Sequence, residues 1–278
     1  MAVPAVVLAA ALCAWGVLCL LFWQGSWQLL YHPSPKLAHT PADAGLPFSA
    51  VGFDPAVSGA PQLTGWWIPA APDAREIRYT FLYLHGQDGN LGDTVDHLAE
   101  LHSAGVNVFA IDYRGYGQSE FDHPSESRWL ADTDSALTYL TNTRHIDANT
   151  IVLDGSRLGA DLALEVAAAH SELAGVVLES PIEDPMSIVF NDGRARLAPA
   201  RLLVRDRYNL DPVAEALHIP SLWLPVSPAS GVGGTAQIPA AFQKVQARKM
   251  LVWLPSGETA AKPYSDALSR WLDDLPAH

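Results

Sequence analysis

Three glycine-marked segments carry residues able to do chemistry: Tyr83-Leu84-His85-Gly86 followed by Gly89, Asp112-Tyr113-Arg114-Gly115-Tyr116-Gly117-Gln118-Ser119, and Gly155-Ser156-Arg157-Leu158-Gly159-Ala160. The last follows the strand-like run Ile151-Val152-Leu153-Asp154 and offers a hydroxyl on Ser156 beside a guanidinium on Arg157. A serine hydroxyl becomes a nucleophile only when an adjacent base takes its proton. An arginine at a helix start instead joins the backbone N–H groups in attracting a carboxylate or phosphate. Other chemistry finds little support. The ten histidines show no metal-ligand spacing such as H-E-x-x-H, and no G-x-x-x-x-G-K-(S/T) occurs. Gly231-Val232-Gly233-Gly234 lacks the strand-and-helix context of a dinucleotide fingerprint and reads as a loop. Cys13 and Cys19 both fall in the N-terminal apolar run, so the remainder holds no thiolate ligand or cysteine nucleophile. Neither a cofactor nor a metal is expected.

These segments need a scaffold. From about residue 62, short apolar runs alternate with longer helical ones, the pattern of β-α-β units around a parallel sheet. The strand candidates are Leu63–Ile68, Thr80–Leu84, Val106–Ile111, Thr150–Asp154, Gly175–Glu179, Ser221–Leu224 and Met250–Leu254. Several are almost continuously apolar, as expected for strands covered on both faces. Trp129, Thr133, Ala136, Leu137 and Leu140 recur at helical spacing, as do Tyr264, Ala267, Leu268, Trp271, Leu272 and Leu275. Residues 181–219 form a longer excursion with five arginines, read as a lid whose arginines make a solvated face.

Ala2 to Trp23 contains no polar or charged side chain, and twenty-two such residues can cross a bilayer as a helix. A cleaved signal peptide is the competing reading. No basic n-region precedes the run, however, its length exceeds the usual ~7 to 15 residues, and no small-x-small cleavage site follows. A core helix apolar on every side would have nothing to cover it. The expectation is a single-pass anchor over residues 1–31 followed by one domain over 32–278, with Trp23, Trp27 and Tyr31 at the membrane-water boundary. Lys36, the first charged side chain, does not fix an orientation alone. The net charge of −13 argues against nucleic acid as a partner, since that association depends on Lys and Arg neutralising phosphates.

Asp112 to Ser119 resembles the D-Y-R-G-Y-G-x-S segment of the serine-aminopeptidase and lysophospholipase-like branch of the α/β-hydrolase superfamily, with glycines that permit a tight strand exit. Leu63-Thr64-Gly65-Trp66-Trp67-Ile68-Pro69 is similar to the G-W-(W/Y)-x-P strand of the same branch, and His85-Gly86 to its oxyanion loop. The spacing fits over roughly residues 45 to 275. The resemblance implies an α/β-hydrolase fold, with a mostly parallel sheet and helices on both faces. It also implies that backbone N–H groups near His85, Gly86, Gln87 and Leu158 form the oxyanion site, and that a nucleophile sits on a sharp strand-to-helix turn.

Aligned without a gap, that turn carries Arg157 at the nucleophile position. Taking Ser156 instead would put Asp154 and Leu158 where the turn needs small residues. The base should come from the loop after the last strand, where Thr259 or a neighbour replaces the histidine; no histidine lies between His218 and His278. The acid segment reads Leu224-Pro225-Val226-Ser227-Pro228-Ala229-Ser230-Gly231, with Ala229 in place of a carboxylate. An acid taken one strand earlier, from Glu179, Glu183 or Asp184, has no histidine there to orient. Triad loss leaves about 10³ to 10⁴ over water. The expectation is therefore a membrane-anchored pseudoenzyme that binds a small anionic or acyl ligand or a protein partner, against an ester or amide hydrolase with an unconventional site. Arg157 is expected to pair with Asp161, four residues on and on the same helix face, or to hold an anionic ligand.

Overall fold

The computed structural model describes residues 2–55, 58–227, 238–255 and 261–275. The apolar runs become strands of one eight-stranded sheet: β1 (Ser49–Pro55), β2 (Pro61–Ile68), β3 (Thr80–Leu84), β4 (Asn107–Asp112), β5 (Ile151–Ser156), β6 (Gly175–Glu179), β7 (Ser221–Leu224) and β8 (Lys249–Leu251). Their spatial order is β8-β7-β6-β5-β3-β4-β2-β1. Only β2 runs against its neighbours β1 and β4; the remaining adjacent pairs are parallel. β3, β6 and β7 occupy the expected spans. The expected Met250–Leu254 strand breaks after Leu251 and resumes only as a Val226–Leu254 bridge. β1 had no sequence signal, because Gly52 and Pro55 are poor strand formers, and an edge position tolerates them.

Side chains alternate across the sheet and divide the core in two. Phe81, Tyr83, Val177 and Leu222 face α2 (Val95–Ser103) and α9 (Ala261–Asp273), meeting Leu98, Leu268 and Trp271. Leu82, Leu84, Leu153 and Leu178 face α3 (Glu126–Thr138) and α4 (Leu158–Ala169), meeting Trp129, Leu162 and Val166. Asp132 of α3, fully buried, binds Arg114 through its backbone N–H at 2.8 Å and its Nε at 2.6 Å, clamping the Asp112–Ser119 turn to that helix.

An N-terminal helix over Ala2–Gly25, named αN, is long and apolar enough to cross a bilayer, and none of its most apolar window is covered by the domain. A short 3-10 turn over Ser26–Leu29 then leads inward. Leu29, Leu30 and Tyr31 are buried in the domain core. Tyr31 is thus not an interfacial side chain as expected from its position after the apolar run: its hydroxyl donates to Asp206 at 2.7 Å, and its ring meets the edge of Trp129.

The excursion between β6 and β7 folds into three short helices, Pro185–Asn191, Ala200–Leu203 and Leu210–Ala216. Arg194, Arg196, Arg201, Arg205 and Arg207 are all exposed, as the solvated-face reading requires. Tyr208, Leu210 and Ala214 anchor the excursion in the core. At its other end, Leu197 and Ala198 share a groove of about 240 Å³ with Leu18, Leu21 and Phe22 of αN.

Candidate functional site

The chain crosses from one side of β3 to the other between β4 and β5, and ligand sites of open α/β sheets gather at such a reversal, beyond the strands' carboxyl ends. Here that point brings together His85-Gly86, after β3, and Ser156-Arg157, ending β5, with Leu84 opposite Gly155 in register. Arg157 holds φ 54° and ψ −120°, a conformation that non-glycine residues avoid, immediately before α4. Its N–H donates to the Glu179 carbonyl at 2.8 Å, and its own carbonyl accepts from Ala160 at 3.0 Å. Neighbouring backbone fixes the turn. A Cβ on Gly155 would lie 2.2 Å from the Gly159 oxygen, and one on Gly159 would lie 2.2 Å from the Leu84 oxygen. Both positions therefore exclude any side chain, and the residue between them at the apex is Arg157, with Ser156 still in the strand.

The guanidinium arm is exposed and leaves over the oxyanion loop: a Cβ on Gly86 would sit 3.3 Å from Arg157 Cβ and 3.5 Å from its Cδ. The expected Arg157–Asp161 ion pair does not form. Because residue 157 is not helical, the four-residue spacing does not put the two side chains on one face. Asp161 is fully buried instead, accepting the Ile182 N–H at 3.1 Å, and burial raises its carboxyl well above the ordinary range. Arg157 has no ion-pair partner among the described residues.

His85 supplies no base. Its Nδ1–H donates to the Gly86 carbonyl at 2.7 Å, its ring packs between Tyr113 and Tyr116, and burial lowers its pKa to about 4. Gln87 is buried, and its carbonyl accepts from the His32 N–H and the Tyr116 hydroxyl, both at 2.9 Å. Leu158 is buried at the head of α4, where its N–H has no partner within the helix. Ala229 and Thr259, expected at the acid and base positions, lie outside the described residues.

One imidazole does stand near the elbow, and sequence reasoning missed it. His97, on α2, reaches under the sheet to Glu179 at 3.1 Å and Asp154 at 3.7 Å. Glu179 therefore does have a histidine to orient, contrary to the sequence expectation. The signal missed was the strand alternation that turns Asp154, Ser156 and their register partners Tyr83 and Glu179 toward the α2 face. Burial opposes the imidazolium, but Glu179 and its neighbours outweigh it, so the His97 pKa stands well above its ordinary value. Burial and then Glu179 raise Asp154 to about 7. Both His97 nitrogens face carboxylates, Nδ1 lying 3.7 Å from Glu100, and no imidazole hydrogen-bonds Ser156 among the described residues.

Two clefts of about 810 and 750 Å³ open along the excursion, lined by residues such as Trp27, Met186 and Asp206 in one and Phe190, Tyr208 and Trp223 in the other. Neither is lined by Ser156 or Arg157.

Residues 75–211 match the family model of the serine aminopeptidase S33 hydrolases. The uncharacterised protein YfhR of Salmonella typhi is 30% identical over 209 residues, covering 70% of this chain and 68% of that protein. Mouse alpha/beta hydrolase domain-containing protein 17C is 34% identical over 122 residues, which is 44% of this chain and 38% of its own length. Among solved structures, the Pyrococcus furiosus esterase Pf2001 superposes with a TM-score of 0.63 at 16% identity, covering 88% of this chain and 99% of that one. Strand order, elbow geometry and these likenesses agree: the chain belongs to the α/β-hydrolase superfamily.

Proposed function

We propose that this chain is a membrane-anchored α/β-hydrolase that has left serine hydrolysis and uses its elbow to bind. The observation that carries the reading is the elbow itself: its strained backbone is intact, yet the apex holds a guanidinium, and no imidazole bonds the adjacent hydroxyl among the described residues. An exposed cation beside the backbone N–H groups at the head of α4 suits a carboxylate or phosphate. The anchor draws support from the uncovered apolar surface of αN and from exposed Leu197, which lines a groove together with Leu18, Leu21 and Phe22 of αN and would bring the lid to the bilayer surface.

One observation favours a second reading. The His97–Glu179 pair lies on the face toward which Ser156 turns, so an unconventional hydrolase could assemble there. A fluorophosphonate probe, which labels activated serines, separates the two. Neither the detergent-solubilised wild type nor the Arg157→Ser variant should label. Labelling of wild type that Ser156→Ala and His97→Gln both abolish would overturn the binding reading. Ligand recognition is tested by thermal shift with phosphate and acetate, where the wild type should gain stability and Arg157→Ala should not; equal shifts would reject Arg157 as the recognition element.

A further inference from the structure

Under the sheet, beside the elbow, the described residues place a cluster whose polar atoms have no hydrogen-bond partners: His97 Nε2, both carboxylate oxygens of Asp154, Glu179 Oε1 and the Tyr264 hydroxyl. All are buried atoms, and Asp154 is wholly excluded from solvent. Leaving one such group unpaired costs about 1 to 3 kcal/mol, and more for a charged one. Several gathered in one cluster favour a group that bridges them. His97 Nε2 and Glu179 Oε1 approach to 3.1 Å, yet do not align as a hydrogen bond.

We propose that His97, Asp154 and Glu179 form a binding site for a divalent transition-metal ion of the zinc class. Candidate ligand atoms from the three side chains all lie within 4.8 Å of one another. Tetrahedral zinc with bonds of about 2.05 Å separates its ligand atoms by roughly 3.3 Å. The His97–Glu179 and His97–Asp154 separations of 3.1 and 3.7 Å bracket that edge, and the third edge is within 4.8 Å. A neutral imidazole with carboxylates is a donor set that suits zinc.

Two further features fit an ion rather than a proton shared among the groups. Charge closes: the buried Asp154 and the largely buried Glu179 carboxylates balance one divalent cation, whereas one imidazolium leaves a negative charge against a high desolvation cost. An outer carboxylate is also at hand: Nδ1 of His97 faces Glu100 at 3.7 Å, a contact that would have to tighten to a hydrogen bond on metal binding to orient the ring. The Tyr264 hydroxyl or a water would complete four ligands. Side-chain exposures of 18% for His97 and 13% for Glu179 leave the cluster partly open to solvent. The ligands come from α2, β5 and β6, so no local motif could reveal the site, which goes against the expectation from the sequence that no metal is held.

The test uses the full chain in detergent, stripped with chelator and titrated with Co²⁺. One equivalent should produce the visible d–d bands of four-coordinate cobalt, displaced by Zn²⁺. Zinc at a hundred-fold excess over its Kd should raise Tm by about 5 to 10 °C. Asp154→Asn and His97→Gln should each lose the bands and the shift while near-UV circular dichroism reports an intact fold; if one fails to fold, the other decides. Glu100→Gln, which touches the ring and not the ion, should weaken cobalt binding about 10- to 100-fold. Absence of bands in the wild type, or one equivalent bound equally by a folded Asp154→Asn or His97→Gln variant, overturns the proposal.

Discussion

Replacing Arg157 with glycine should stabilise the protein, an unusual direction for a substitution at the apex of an elbow turn. At φ 54° and ψ −120° a residue with a Cβ is strained, at a cost of about 1 to 3 kcal/mol. Glycine accepts that backbone but loses more freedom on folding, returning about 0.5 to 1 kcal/mol. Removing a positive charge from the positive end of α4 adds about 0.3 to 1 kcal/mol. Arg157 makes no ion pair among the described residues that would offset this sum. The net expectation is a gain of about 1 to 2 kcal/mol, or roughly 2 to 8 °C in Tm for a domain of this size. Arg157→Ala is the control, because alanine keeps the strain and loses only the charge; it should gain no more than about 1 kcal/mol. Denaturant unfolding of all three forms in the same detergent measures the differences. Should Arg157→Gly unfold at lower denaturant than wild type, the guanidinium holds the elbow together through contacts that outweigh the strain, and the account given for the turn is wrong.

Burial holds the Asp161 carboxyl above its ordinary range, so the folded state resists its ionisation and the protein loses stability as pH rises from about 4, where the unfolded chain ionises, to the folded-state pKa. Asp161→Asn should therefore stabilise by an amount that vanishes near pH 4 and grows by about 1.4 kcal/mol per pH unit above it before levelling off, as measured by unfolding across pH. Asp132→Ala leaves Arg114 without its buried carboxylate and should cost about 3 to 5 kcal/mol, seen as a lower denaturation midpoint. Tyr31→Phe removes the donor to Asp206 and should cost about 1 to 3 kcal/mol; no loss would show that the segment after αN contributes packing alone.

The fold was legible because each parallel strand writes its burial into a contiguous apolar run: Thr80–Leu84, Gly175–Glu179 and Ser221–Leu224 needed only neighbours in sequence. The elbow was legible for a steric reason, since backbone approaches near 2.2 Å admit only glycine at 155 and 159 and so fix the frame that puts Arg157 at the apex. The ion pair with Asp161 was misread because a helical spacing rule was applied from a residue that is not helical. His97 went unnoticed for a different reason. It lies 57 residues before Asp154 and 82 before Glu179 in the chain, and only the β3–β5–β6 register with α2 folded across it makes the three neighbours.

The strain of the elbow is held in place by its neighbours. Gly155 and Gly159 pack against Leu84 and the start of α4, the Arg157 N–H is committed to Glu179, and Leu84, His85 and Gly86 lean on the same backbone. Relaxing the turn would uncouple β5 from α4 in the middle of the sheet, at a cost above the ~1 to 3 kcal/mol of strain it holds. A scaffold of this kind keeps its strained turn whatever side chain occupies the apex, so the apex is free to change chemistry. With a guanidinium there and a cluster of acids and an imidazole on the α2 face, the same topological switch point places a cationic side chain outward and acidic side chains inward. Two sites of opposite charge can thus share one sheet edge without sharing a ligand, and because only the Arg157 backbone is committed to Glu179, Arg157→Ala should leave cobalt binding at His97 within about two-fold, whereas a substitution that relaxes the turn should not.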